Sequence, residues 1–333
     1  MVLAESYLHT LSPFLLRISG EFGLRWYGLA YIAGFIIAGQ MMARLVQTGR
    51  SPLARQQIDP NSLLTAMVLG VIVGGRFGFA LFYQPHVLWT FGSSFPFWEL
   101  LAIHKGGMAS HGGMLGVLIA SAWFVQKNKL DLYDTLHVAD LAAFCATPGL
   151  FLGRLANFVN AELWGEPVTT RPAPWWSVKY PNEMLPGHPD SVPSVVANVA
   201  TIFPTEPANT IHTKLIEGDA VVREAVIPLL TPYWPSQLIQ AVAEGPLLAT
   251  VLCIAWWRPK RPGMISALFL CCYGPLRLLT EMVRQPDVGI DRTFGLSRGQ
   301  LLSVGMVLAG ILLLLVIRKS SRREGGLFPP SNF

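Results

Sequence analysis

Three arginines stand where arginine is rare. Arg76, Arg154 and Arg277 each fall inside a long apolar stretch of this 333-residue chain. A guanidinium at bilayer depth costs at least about 2.5–3.5 kcal/mol, so it needs a partner or a watery cavity. Salt bridges to Glu244, Glu281 or Glu162 are one solution. A bound anion is the other, because the planar guanidinium fork stays charged and gives phosphate paired hydrogen bonds. In YGPLRLLTEMVRQPD (273–287), Glu281 and Arg284 follow Arg277 at i+4 and i+7 and share its helix face. Pro275 is expected to loosen that helix and open space beside Arg277. In GRLANFVNAELWG (153–165), Asn157, Asn160 and Glu162 spread around Arg154 on a broad polar arc, and Gly165 follows where the chain leaves the helix. Buried amides and carboxylates need partners. A phosphate headgroup carrying hydroxyls would supply them, as would a closed polar network at a helix end.

A third cluster is HKGGMASHGGMLG, with His104, His111 and five glycines ahead of an apolar run. Glycine-rich backbone at a helix start can offer N–H groups to an anion. A helix N-terminus also disfavours imidazolium, so His111 is a candidate base, with a purely structural histidine as the alternative. His9, His86, His137, His188 and His212 lack such settings. Tyr27, beside Trp26, opens the first apolar stretch, where aromatic residues are common in any membrane protein.

The elements that position these groups follow from composition. Charged residues are 14% of the chain and apolar ones 52%, with a mean hydropathy of +0.43. So few charges could not cover a soluble protein of this size, and disorder needs the opposite balance. The expected class is an all-α polytopic membrane protein. Apolar stretches at about 24–46, 62–83, 112–126, 138–160, 237–257, 263–282 and 299–317 predict about seven transmembrane helices. The third, short and preceded by glycines, is expected to begin as a re-entrant segment. The four cysteines lie in apolar stretches without metal spacing, so neither a disulfide framework nor a zinc site is expected. The net charge of +5 reflects basic loops facing an anionic leaflet rather than nucleic acid. Residues 1–23 do not read as a cleaved signal peptide.

Of the basic residues in short loops, twelve fall on one side and six on the other. The richer side faces the cytoplasm, which puts the N-terminus outside and the C-terminus inside. The predicted organisation is four spans in 1–160, a small extracytoplasmic head in 161–236, three spans in 237–317 and a cytoplasmic basic tail in 318–333. In the head, Trp175 and Trp176 either touch the membrane interface or pack the head itself. No internal repeat is visible. A repeat would favour the rival reading, a transporter for an anionic solute that uses the buried arginines as its site.

Together RWYGLAY (25–31), GGMASHGGMLG (106–116), GRLANFVNAELWG (153–165), PSQLIQAVAEG (235–245) and YGPLRLLTEMVRQPD (273–287) resemble the bacterial prolipoprotein diacylglyceryl transferase family. They occur in the family's order over most of the chain outside the head. One segment departs: where the family has Tyr and Glu after PSQL, this chain has Ile239 and Gln240. The resemblance implies an enzyme of the bacterial inner membrane that moves a diacylglyceryl group from phosphatidylglycerol to the lipobox cysteine of a preprolipoprotein signal peptide. The products would be a thioether and glycerol 1-phosphate, and neither metal nor cofactor is required. Carried onto this sequence, Arg154 and Arg277 clamp the phosphate, and Glu281 and Glu162 orient them. Tyr27 and Asn157 bind the headgroup, Gly165 closes the binding segment, Arg284 guides lipid or peptide nearer the surface, and His111 is the favoured base. Membrane lipids and the tethered signal peptide would approach laterally between helices.

Overall fold

The computed structural model describes residues 5–19, 22–48, 50–93, 95–103, 106–285 and 297–327. His104, Arg292 and the Pro286–Asp287 end of the last motif lie outside the described residues. Among those described, six helical segments are long and apolar enough to cross a membrane. They are Trp26–Gln47, Pro60–Phe82, Leu132–Val159, Ser236–Trp256, Met264–Glu281 and Gly299–Ile317. Each coincides with a stretch read from the sequence, as expected where hydrocarbon forces every backbone group to find its partner inside the segment. The remaining stretch, 112–126, is a helix of 18 residues, Ser110–Lys127, outside those six. Its ends carry His111, Gly112, Gly113, Gln126 and Lys127, which dilute its apolar character.

In chain order the helices relevant here are α1 (Trp26–Gln47), α2 (Pro52–Arg55), α3 (Pro60–Phe82), α4 (Ser110–Lys127), α5 (Leu132–Cys145) and α6 (Thr147–Val159). The head contributes α7 (Pro193–Ile202), α8 (Ala208–Glu217) and α9 (Ala220–Val226). Then come α10 (Ser236–Val242), a π-helical turn (Ala243–Leu247), α11 (Leu248–Trp256), α12 (Met264–Glu281) and α13 (Arg298–Ile317). Two small sheets were not foreseen. β1 (Tyr7–Leu8), β4 (Val178–Lys179) and β5 (Pro232–Tyr233) form one, and β2 (Phe14–Ser19) with β3 (Phe22–Arg25) forms an antiparallel hairpin. The two-residue strands of the first sheet carry too few positions to show an alternating pattern.

The chain divides into two compact units, Met1–Ala33 with Gly149–Leu248 and Cys271–Leu308, and Gly34–Pro148 with Ala249–Leu270 and Ala309–Phe333. In the first unit the head has its own aliphatic core of Met184, Val195, Val199, Ile211, Leu215, Val222, Val226 and Leu230, joined by Leu8 from β1. Trp175 and Trp176 are 68% and 42% exposed, so they do not pack that core.

In the second unit α3 and α4 approach closely along glycines. A Cβ on Gly70, Gly74, Gly112 or Gly116 would collide with backbone of the facing helix. Such small-residue stripes are how membrane helices gain packing where no hydrophobic force separates them from lipid. Two of the glycines read as an anion cradle, Gly112 and Gly116, serve helix packing here. Asp140 on α5 caps the start of α12, accepting from the Gly263 and Ser266 amides at 2.7 Å each. The basic tail is docked: Arg322 donates to Asp131 at 2.8 Å, and Glu324 pairs with Arg55 at 2.8 Å.

Candidate active site

The first unit gathers most of the polar residues singled out by sequence. Arg154 lies on α6 and Arg277 on α12, and both reach Glu244, whose side chain is wholly buried in the π-helical turn. Arg154 Nε donates to Glu244 Oε2 at 3.0 Å, and Arg277 Nη1 donates to Oε1 at 3.3 Å. The turn is built for this reach. Pro246 cannot donate to the helical ladder, and a π-turn inserted in a helix frequently marks a functional position. Gly245 has no Cβ because Phe151, one helical turn before Arg154 on α6, already occupies that space.

Arg277 Nη2 also contacts Glu281 Oε2 at 2.8 Å, its i+4 neighbour, and Arg284 Nη1 lies 3.7 Å from the same oxygen. α12 continues through Pro275 but ends at Glu281, so Arg277 and Glu281 share a helix face while Arg284, expected on the same face, lies past the helix end. Gly299, in the first turn of α13, places that helix N-terminus beside Glu281, with its Cβ position 3.5 Å from Oε1. A helix N-terminus favours a carboxylate. Around Glu244 and Glu281, the guanidiniums of Arg154, Arg277 and Arg284 meet two carboxylates among the described residues. Arg154 and Arg277 keep 17% and 13% of their side-chain surface exposed.

A second polar group continues from this one along α6. Asn157 Nδ2 donates to Tyr27 Oη at 2.6 Å and to Glu162 Oε2 at 3.2 Å, and Asn160 Nδ2 donates to Glu162 Oε1 at 3.5 Å. Glu162 therefore takes the asparagines, while Arg154 takes Glu244. Burial holds the Glu162 carboxyl above the usual carboxylate range, and the two asparagines and the charge of Arg25 oppose that rise.

The loop carrying Glu162 is strained and tied down. Ala161 and Leu163 have φ of 52° and 59°, a left-handed conformation that costs non-glycine residues about 1–3 kcal/mol each. Gln237 Nε2 donates to the Glu162 carbonyl at 2.6 Å, and Ser236 Oγ to the Leu163 carbonyl at 2.8 Å. This gives PSQ in 235–237 a function: it staples the loop. Gln240, standing in place of the family's glutamate, is buried with its Nε2 unpartnered. Gly165 is required by a close approach, since a Cβ would overlap the Trp234 carbonyl. Its segment also pairs with Arg284, which is 8% exposed rather than near the surface. The reason is the backbone ladder itself: Glu166 N donates to Val283 O and Gln285 N to Trp164 O.

His111 belongs to the second unit, exposed on the first turn of α4. So does Arg76, and its guanidinium is consumed by backbone. It donates to the carbonyls of Glu99, Leu100, Gly106 and Gly107 at 2.6, 2.7, 2.7 and 2.9 Å. Sequence reasoning did not single out Tyr273, which hydrogen-bonds Arg154. Its position four residues before Arg277 on α12 was the available signal.

Comparison with known proteins gives the chain's family. The family model described as prolipoprotein diacylglyceryl transferase matches residues 13–316. The phosphatidylglycerol–prolipoprotein diacylglyceryl transferase of Bdellovibrio bacteriovorus is 37% identical over 93% of each chain. The proteins of the same name from Cereibacter sphaeroides and Ruegeria pomeroyi are each 38% identical, covering 90% and 92% of this chain and 92% and 96% of their own. A match of this length and identity, on a chain whose buried arginines, asparagine and glutamates converge in one unit, means that the protein belongs to the prolipoprotein diacylglyceryl transferase family.

Proposed function

We propose that the protein transfers the diacylglyceryl group of phosphatidylglycerol to the lipobox cysteine thiol of a prolipoprotein, the first step of lipoprotein maturation. The observation that carries this reading is the cluster around Glu244, where two arginines from different helices share one buried carboxylate and still keep 17% and 13% of their side-chain surface exposed. Guanidiniums fixed by a buried carboxylate but still partly exposed are a seat for an anionic phosphoester.

Sulfur attacks the glyceryl carbon that bears the phosphate. The sulfur–carbon bond forms as the carbon–oxygen bond breaks, and the electron pair leaves on phosphate oxygen to give glycerol 1-phosphate. Arg154 and Arg277 stabilise that developing charge, which fixed donors do at no reorganisation cost. Glu244 and Glu281 orient the two guanidiniums. Tyr27, Asn157 and Glu162 bind the headgroup hydroxyls, and Gly165 and Arg284 shape the segment beside them. The thiolate is the reactive form of the acceptor, and His111 takes the thiol proton. The catalytic end of α1 and the head at 161–236 face outside, with residues 1–160 and 237–317 in the inner membrane and 318–333 on the cytoplasmic side.

The test supplies membranes containing the protein with glycerol-labelled phosphatidylglycerol and a lipobox peptide. Label in a thioether on the peptide cysteine, with release of glycerol 1-phosphate, is the expected result. Movement of an anionic solute without covalent change would overturn it in favour of a transporter.

A further inference from the structure

The donors of Arg76 converge on the segment that leads into α4. Its Nη1 donates to the Gly106 and Gly107 carbonyls at 2.7 and 2.9 Å, while Nη2 and Nε donate to those of Glu99 and Leu100 at 2.6 and 2.7 Å. Gly106 and Gly107 have φ of 85° and 79°, the left-handed region open to glycine, which has the most backbone freedom to lose. Such a run keeps one geometry only when something outside it ties it down. Arg76 is that tie, buried on α3 with all three guanidinium nitrogens engaged. The fit is close, since a Cβ on Gly107 would lie 2.6 Å from both Arg76 Nη1 and the Phe79 ring.

The tie continues along the chain. The Ala109 amide, at the N-cap of α4, donates to the carbonyl of Gly75, the residue before Arg76, at 2.9 Å. Gly112 then meets Gly78 of α3, where a Cβ on Gly78 would lie 2.6 Å from the Gly112 Cα. His111 sits between these two anchors, so α3 fixes the backbone on both sides of it. Yet His111 is exposed. A histidine held at its backbone and open at its side chain is presented rather than packed.

We infer that Arg76 is a positioning residue for His111: through the Gly106 and Gly107 carbonyls it sets where the imidazole stands as it takes the thiol proton. The claim about the proton rests on the functional reading above; the ordering of residues 106–113 by Arg76 does not. Misplacing a reacting group by about 1 Å costs up to about a hundredfold in rate. Arg76→Lys keeps the charge but replaces a planar fork with a point donor, which cannot serve Leu100 and Gly107 together. Gly107→Ala disturbs the same tie from its other end.

The experiment uses the full chain in nanodiscs containing phosphatidylglycerol, with a lipobox peptide as acceptor, and expresses rates per mole of folded protein recovered by size exclusion. Arg76→Lys and Gly107→Ala should each lower turnover by about 10- to 100-fold, with the half-saturating lipid fraction within about twofold of wild type. A tie that serves folding alone would lower the yield of folded protein and leave its turnover intact, which would overturn the inference. A second acceptor carries selenocysteine in place of the lipobox cysteine. Its selenol is already ionised at neutral pH, so no base is needed to expose the nucleophile. With it, both variants and His111→Asn should come within about threefold of wild type. A loss that persists with selenium would refute action through the base. Hydrogen exchange of the 106–113 amides, read by mass spectrometry, should be about tenfold faster in Arg76→Lys, and unchanged exchange would refute the tie. If His111→Asn transfers to the thiol at the wild-type rate, the base assignment fails and the claim about the proton falls with it, while exchange still decides whether Arg76 orders the segment.

Discussion

Arg76 in one unit and the Arg154–Arg277 pair in the other solve the same problem in opposite ways. Each is a guanidinium on an apolar helix. Arg76 spends its donors on four backbone carbonyls, all within 2.9 Å. Carbonyl dipoles satisfy hydrogen bonds and fix loop geometry around residues 99–107. Arg154 and Arg277 are held instead by a carboxylate that they share, with a third arginine nearby. Dipoles make a structural rivet, whereas shared counter-ions hold a pre-aimed charge. The difference is invisible from residue type, because all three are arginines in hydrocarbon-like sequence.

Three experiments break or sharpen this contrast. The largest effect belongs to the shared-carboxylate pair. Arg154→Ala or Arg277→Ala should cut transfer by about a thousandfold or more, the scale of losing a donor that stabilises developing charge. Protein amount in the membrane should stay normal, because each variant leaves Glu244 one guanidinium. Near-wild-type transfer in either variant would remove the clamp. Next comes Arg76→Ala, which strips several carbonyls of their charged donor and should lower stability by about 3 kcal/mol. A denaturant or thermal titration in detergent reads this, and the folded fraction should keep its half-saturating lipid concentration. A change in that concentration with no loss of stability would move Arg76 into the lipid site.

The smallest effect tests the dipole solution on an acid. Glu183 in the head is buried and held by neutral donors, accepting from the Thr231 amide at 2.9 Å and the Tyr233 hydroxyl at 2.7 Å. Burial outweighs those bonds and raises its carboxyl above the ordinary value of 4.5. The folded head therefore binds this proton more tightly than the unfolded chain does. Its contribution to stability is full below pH 4.5 and fades as pH rises through the elevated value. Glu183→Gln should flatten that part of the melting curve, a difference of about 2 °C between pH 4 and pH 7. A wild-type midpoint that rises more steeply with pH than the variant's would reverse the assignment.

Much of the site was legible because its residues break a strong pattern. Polar groups inside apolar helices stand out at once, and Arg154, Asn157, Arg277 and Glu281 were found that way. Glu244 could be named only as one of several carboxylates within reach. Which acid meets which arginine depends on how α6, the π-turn and α12 pack, and the Glu-Gly-Pro run was the sole local hint of the turn. Glu162 was expected to face the arginines and faces the asparagines instead. Its loop direction is set by left-handed Ala161 and Leu163 and by the Gln237 and Ser236 staples, none of which has a periodic signature. The strands stayed hidden for a related reason: two-residue pairings such as Tyr7–Leu8 with Val178–Lys179 are made by distant segments meeting.

By itself the sequence determined the membrane-crossing segments and the family. Hydrocarbon demands about twenty apolar residues in a self-satisfied helix, and that demand is written locally. Only the tertiary structure decided which of these arginines is held by carbonyls and which by a carboxylate. A charge in an apolar helix must be compensated, but its compensator comes from another helix, and the choice between carbonyl and carboxylate exists only once the helices have packed.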